Sequence, residues 1–417
     1  MFLKIAILFF LVSGLSISAD STISNLQKKC LDQPNENLPK DTYARYVRQL
    51  QFEKAKEYCD SLPTDTKNCK ASSRFWLGTS EFAKGNLENA EKFFQEGIEL
   101  MGPSRRVADW IRDKPKQTGW GRPEDFLKYI QNSKKLNPSR PKYTQVVTYF
   151  IIDQTNTKSD PNANKKVERH MDVCLAVHGN LSLSILKKYV ELFSQGHLSL
   201  DIRSLFVPKT ITKIYKNDFP ALGSLSQWDE NFSLFMKQVT QESDLIVFAY
   251  PRWSGSALAS FSKIPIVPKV LNSPLRTHIK IASEDLSIIN YPRLFHEYLH
   301  TVEYNMRRNG DKLFHATSHG SDGKKVEAIT GLKTEETGET DWAEHHFANR
   351  IPDLVKKLEF KNSMNGWQDI FGVRIKFKDT FTEERIRSDY VKYLDILNSS
   401  KNIKTIEEME EESESSE

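Results

Sequence analysis

Seven consecutive β-branched and aromatic residues, Val146-Val147-Thr148-Tyr149-Phe150-Ile151-Ile152, divide this chain into two kinds of pattern. A run of that composition predicts a buried strand, and a buried strand needs a sheet with helices stacked beside it. Ahead of the run, apolar residues recur at helical spacing from about Asp41 onward. Behind it, the two periodicities alternate. A polar loop spans Gln154 to Lys166. Leu183–Phe193 and Phe232–Val239 have helical spacing. Leu198–Val207 alternates as a half-buried strand does, Asp244–Ala249 is a further apolar strand, and His278–Ile281 a shorter one. The expected class is α+β, with an all-helical part first and an α/β part second. The chain has 417 residues, 38% of them apolar, which suffices for two or three domains. Its net charge of +4 is small for this length and makes no case for nucleic acid as a partner.

The termini read simply. Lys4, the apolar stretch Ile5–Leu15 and the small residues Ser16, Ser18 and Ala19 have the layout of a cleavable signal peptide. No other stretch is long and apolar enough to span a bilayer, so export to a secreted or periplasmic location is expected, without stable membrane insertion. The last residues, 401–417, hold seven Glu and several Ser and read as a disordered acidic tail. The expected division is therefore a signal over 1–19, a polar segment over 20–40, a helical domain over 41–140, a second domain over 141–400, and the tail.

Export permits disulfides. Cys59 and Cys69 flank the polar turn Pro63–Thr66 and are placed to pair, with Cys30 an alternative partner for either. Cys174 lies in the apolar run Val173–Val177 and is expected as a buried thiol. None of the four has zinc-ligand spacing. Within the helical part, Trp76, Leu77, Gly78, Gly85, Ala90, Phe93 and Pro103 fall at spacings that resemble a tetratricopeptide repeat, in which small residues let two antiparallel helices touch and aromatics fill the gap. Phe52-Glu53-Lys54-Ala55 precedes Leu87-Glu88-Asn89-Ala90 by 35 residues, close to that repeat's period, and Phe126–Pro138 reads as a third, degenerate hairpin. Stacks of this kind bind or orient a partner protein. Residues 101–145 hold eleven Lys and Arg against four Asp and Glu, read as a solvated face and linker.

The chemistry concentrates in His296-Glu297-Tyr298-Leu299-His300. Pro292 suits a first helical turn, and Arg307, Arg308 and Gly310 suit an end. Phe295, Leu299, Val302 and Met306 make one apolar stripe. His296, His300, Glu303 and Arg307 make a second, displaced by about 100°, which is expected to border a cleft. Two His at i and i+4 can reach one Zn²⁺ at roughly 2.0–2.1 Å each. Glu297 is then placed to act as general base and afterwards as general acid.

These five residues and their capped helix resemble the zincin metallopeptidases. The resemblance implies a mixed sheet whose edge strand holds an extended substrate, and the His278–Ile281 strand is the candidate edge. It implies zinc as cofactor, a protein or peptide substrate, and His296 and His300 as ligands. The metzincin pattern is excluded, because Glu303 stands where Gly is required and Met306 where a third His would be. A Glu ligand of the thermolysin type would fall at Glu327. An Asp ligand of the aspzincin type would fall at Asp341, in Gly338-Glu339-Thr340-Asp341, although Glu344 and His345 replace the Tyr and Gly of that pattern. Asp341 is the first choice of third ligand, followed by Glu344, His345 and Glu303; His315 and His319 lie in a Gly/Ser-rich loop that could close over the metal. The expectation is a secreted zinc metallopeptidase. The alternatives are a secreted binding protein with a catalytically silent zincin-like domain, and a zinc hydrolase of non-peptide bonds.

Overall fold

The computed structural model describes residues 19–64, 66–101, 123–134, 143–158, 166–193, 198–211, 243–251, 257–263, 275–288 and 291–308. The apolar run at Val146–Ile152 lies in strand β1 (Tyr143–Lys158), the centre of a six-stranded mixed sheet. β3 (Leu198–Ile211) pairs parallel along one side of β1. β4 (Leu245–Tyr250) pairs parallel on the other, and β6 (Leu275–Ala282) pairs parallel with β4. β2 (Lys166–His170) adds antiparallel to the far end of β1. This pairing carries β1 on to Lys158, through the first part of the segment expected as a loop.

The outermost strand beyond β6 is β5 (Ala257–Lys263), antiparallel to it. The expectation that His278–Ile281 forms the sheet edge is therefore corrected: that segment lies in β6, an interior strand between β4 and β5. β5 was hidden because its Ala and Ser residues lack the β-branched signature of a strand. Side chains alternate along β1. Val147, Tyr149 and Ile151 join the core under the helices, while Phe150 stacks toward Phe248 of β4 on the opposite face, with ring centroids 5.3 Å apart. Both sets are fully buried.

The helices lie mostly before the sheet in sequence. They are α1 (Ala19–Leu31), α2 (Thr42–Arg48), α3 (Phe52–Ser61), α4 (Lys67–Lys84), α5 (Leu87–Met101) and α6 (Pro123–Ser133); α7 (Val173–Phe193) and α8 (Tyr291–Arg308) follow. Asp41 caps α2 by accepting from the Ala44 N–H at 2.7 Å. The α4–α5 hairpin shows why small residues were spaced as they are: a Cβ on Gly78 would stand 2.8 Å from the Phe94 ring. Gly85 ends α4 at φ +86, with the Gly85 and Asn86 N–H groups closing on Phe82 and Glu81. The same closing pattern ends α2, with Leu50 in the left-handed position at φ 58, a conformation that costs a non-glycine residue roughly 1–2 kcal/mol. Phe232–Val239 and the tail lie outside the described residues.

Most of the polar segment 20–40 is helix α1, whose Leu26 and Cys30 are buried. The expectation for Cys174 is corrected. Cys174 is not a thiol, because it forms a disulfide with Cys30 across 144 residues and joins α7 to α1. Cys59 pairs with Cys69, joining α3 to α4, so Cys30 partners neither. The long bridge escaped sequence reasoning because spacing suggests only local pairs, and only the packing of α1 on α7 brings Cys30 to Cys174.

One hydrophobic core runs through the described helices and one face of the sheet. Its centre is aromatic. Phe126 of α6 touches Phe82, Phe94 and Tyr189, and Tyr189 of α7 touches Phe295 of α8. The early helices and α8 thus share the contacts that hold α8 in place.

Candidate functional site

The HEYLH segment lies in the first half of α8, which packs against β5, β6 and α7. Pro292 sits in the first turn, where its missing N–H costs nothing. Arg293 faces the buried Asp285 carboxylate at 3.3 Å, across the short 3₁₀ turn Ser283–Leu286 that leads from β6 toward the helix. Tyr291, Leu294, Phe295, Tyr298 and Leu299 are buried and form the core face. His296 is 7% and Glu297 6% exposed, and His300 is half-buried; the side chains of Glu303 and Arg307, the rest of the stripe expected to border a cleft, lie outside the described set.

The two imidazoles converge. The Nε2 atoms of His296 and His300 stand 3.2 Å apart, with ring planes at 89°. Without a metal, that distance lets one ring N–H donate to the other. Two nitrogens each about 2.0–2.1 Å from one tetrahedral ion stand about 3.3–3.4 Å apart. The Nε2 separation of His296 and His300 is close to that spacing.

Among the described residues, no group of three or more His, Cys, Asp or Glu is gathered around one point. Glu303 lies on α8, but its side chain is outside the described set. Asp341, Glu344, His345, Glu327, His315 and His319 lie outside the described residues altogether.

Two polar contacts under the helix were missed by sequence reasoning. The Tyr298 hydroxyl donates to Gln145 Oε1 at 2.6 Å, where both residues are buried. Burial, with the Asp244 carboxylate nearby, raises the Tyr298 phenol well above its ordinary pKa, so it stays a donor. His178 of α7 is also buried. Its Nδ1 accepts from the Ile288 N–H at 2.9 Å, so Nε2 carries the proton and donates to the Arg48 carbonyl at 2.9 Å. This neutral ring ties α7 to the end of α2 and to the segment ahead of α8. Burial pushes its pKa down to about 4. A single His inside the apolar stretch Val173–Leu183 was the available signal.

The opposite face of β6 carries His278 and Lys280, both buried. Burial lowers the Lys280 ammonium pKa. Among the described residues, no helix is long and apolar enough to cross a membrane. No protein-family model, curated protein or solved structure matches this chain.

Proposed function

We propose that this chain is an exported zinc-dependent metallopeptidase whose metal is held by His296 and His300. The observation that carries the reading is the 3.2 Å approach of the two Nε2 atoms on one buried helix. Zinc, when bound, polarises a peptide carbonyl and lowers the pKa of a bound water to about 7. The chain's own part lies in three side chains. His296 and His300 bind through Nε2. The Glu297 carboxylate takes a proton from the attacking water and returns it to the departing amine nitrogen. Asp341 remains the first choice of third ligand, with Glu344, His345 and Glu303 behind it.

Other features agree with this reading. Four parallel strands with an antiparallel outer strand beside α8 make the kind of sheet that a zincin-like site requires, and β5 takes over the substrate-edge role first given to His278–Ile281. Two disulfides suit an oxidising, exported setting. The enclosure of Glu297 suits a carboxylate that works beside a cation.

A second reading, a binding protein with a silent site, is favoured by an open groove of about 420 Å³ between α1, α3, α4 and α7. Ile23, Phe52 and Leu181 give it an apolar lining, and Glu53, Lys84 and Asn180 a polar one. The purified chain separates the readings. Stoichiometric zinc that is lost in His296→Ala, with cleavage of an unstructured protein that is lost in Glu297→Ala, supports the peptidase. Zinc without Glu297-dependent cleavage supports the binding protein. A chain that takes up no zinc refutes the proposal.

A further inference from the structure

We infer that the Tyr298–Gln145 hydrogen bond sets the rotation of α8 and so aims the His296–His300 pair, making Tyr298 and Gln145 positioning residues for the metal. The inference rests on the zinc reading and adds the residues that orient the site.

The argument starts from helical geometry. At about 100° per residue, Tyr298 lies about 180° from the bisector of His296 and His300. It is the residue on the axis of aim, at the opposite surface of the helix. The mutual spacing of the two imidazoles belongs to α8 alone. Their direction relative to any ligand from another element depends on how α8 is rolled on its support.

Tyr291, Leu294, Phe295 and Leu299 pack α8 onto its support, and Arg293 faces Asp285 near its start. Apolar burial itself is non-directional. A hydrogen bond is directional. The one from the Tyr298 hydroxyl ends at 2.6 Å on Gln145, which is 2% exposed and belongs to the central strand of the sheet. The Gln145 backbone is itself paired in register with Leu200 of β3, so the acceptor is anchored. An imidazole tip lies roughly 5–6 Å from a helix axis, so a roll of about 10° carries it about 1 Å. Metal–ligand distances tolerate only about 0.2 Å. A small roll would therefore detach the pair from a ligand held elsewhere.

The test measures zinc affinity by competition with a chromophoric chelator, on the full chain. The variants are Tyr298→Phe, Gln145→Met and the double variant; His296→Ala is the control. Visible absorption of the Co²⁺-substituted chain reports coordination geometry independently of activity. Each single variant is expected to weaken zinc binding about 10-fold. The double variant is expected to be no weaker than either single, because both remove one interaction. The Co²⁺ spectrum is expected to change in all three. Tyr298→Phe removes one oxygen, and Gln145→Met reaches the same bond from a second element, so a folding defect in one leaves the other decisive. A purely structural bond would lower the melting temperature of the metal-free chain and leave the zinc affinity and the Co²⁺ spectrum unchanged, which overturns the inference. If the parent binds zinc through His296 and the variants bind equally well, this inference falls and the zinc reading stands. If the parent binds no zinc, both fall.

Discussion

His178 turns the packing of three elements into a pH dependence that can be measured. Its ring is buried and neutral, accepting from Ile288 N–H and donating to the Arg48 carbonyl. Its pKa falls from 6.5 to about 4 on folding, first because burial penalises the imidazolium. A depressed pKa means that the unfolded chain binds the proton more readily. The stabilising contribution is therefore complete above about pH 6.5 and is lost as pH falls toward 4. Linkage over that interval is worth about 3 kcal/mol in full, and about 2 kcal/mol between pH 7.5 and pH 5. The comparison is with His178→Gln, which keeps a donor and an acceptor but cannot titrate. Urea denaturation of both chains at the two pH values is the assay. Carboxylates contribute equally to both, so the difference isolates residue 178. The parent is expected to lose about 2 kcal/mol more than the variant on acidification. Equal losses would refute the assignment of a buried, neutral His178.

Further outcomes follow from other contacts. In the chain-entropy description, replacing Cys30 and Cys174 together by Ser costs about 5 kcal/mol, and replacing Cys59 and Cys69 about 3 kcal/mol, because the closed loops differ in length; paired denaturation curves check the order. Gly78→Ala is expected to cost roughly 1–3 kcal/mol, since its methyl would press on Phe94, and the melting temperature reads this directly. Gly179→Ala is expected to destabilise further, because the new Cβ would stand 2.2 Å from the Tyr149 hydroxyl, which donates to the Ala176 carbonyl; failure to see a larger effect than at Gly78 counts against the tight α7–β1 contact. Asp60 should remain ionised into mildly acid solution: burial alone would raise its pKa, but hydrogen bonds from Arg74 and Lys56 hold it below the usual value, and carboxylate titration by NMR tests the direction.

Much of the local structure was legible in the chain itself. The Val146–Ile152 run announced a buried strand, because a strand covered on both faces needs many consecutive apolar residues. The spacing of Gly78, Gly85 and Phe93 announced a close helical hairpin, and the hairpin α4–α5 forms there. His296, Glu297 and His300 declared their shared helix through the i, i+4 interval, which is a property of the helix and not of its surroundings.

What the sequence could not supply depended on neighbours distant along the chain. Cys174 became half of a disulfide only because α1 packs on α7 and brings Cys30 beside it. β6 became an interior strand only because β5, with little strand propensity of its own, pairs outside it. Gln145 and His178 carry no motif. Their roles exist because Tyr298 and Ile288 arrive at hydrogen-bond distance through tertiary packing. The sequence by itself determined which residues share a helical face and which segments must be buried, since those follow from local periodicity. Only the tertiary structure decided how the face bearing His296 and His300 is turned and enclosed, because rotation and burial of a helix are set by what packs against it.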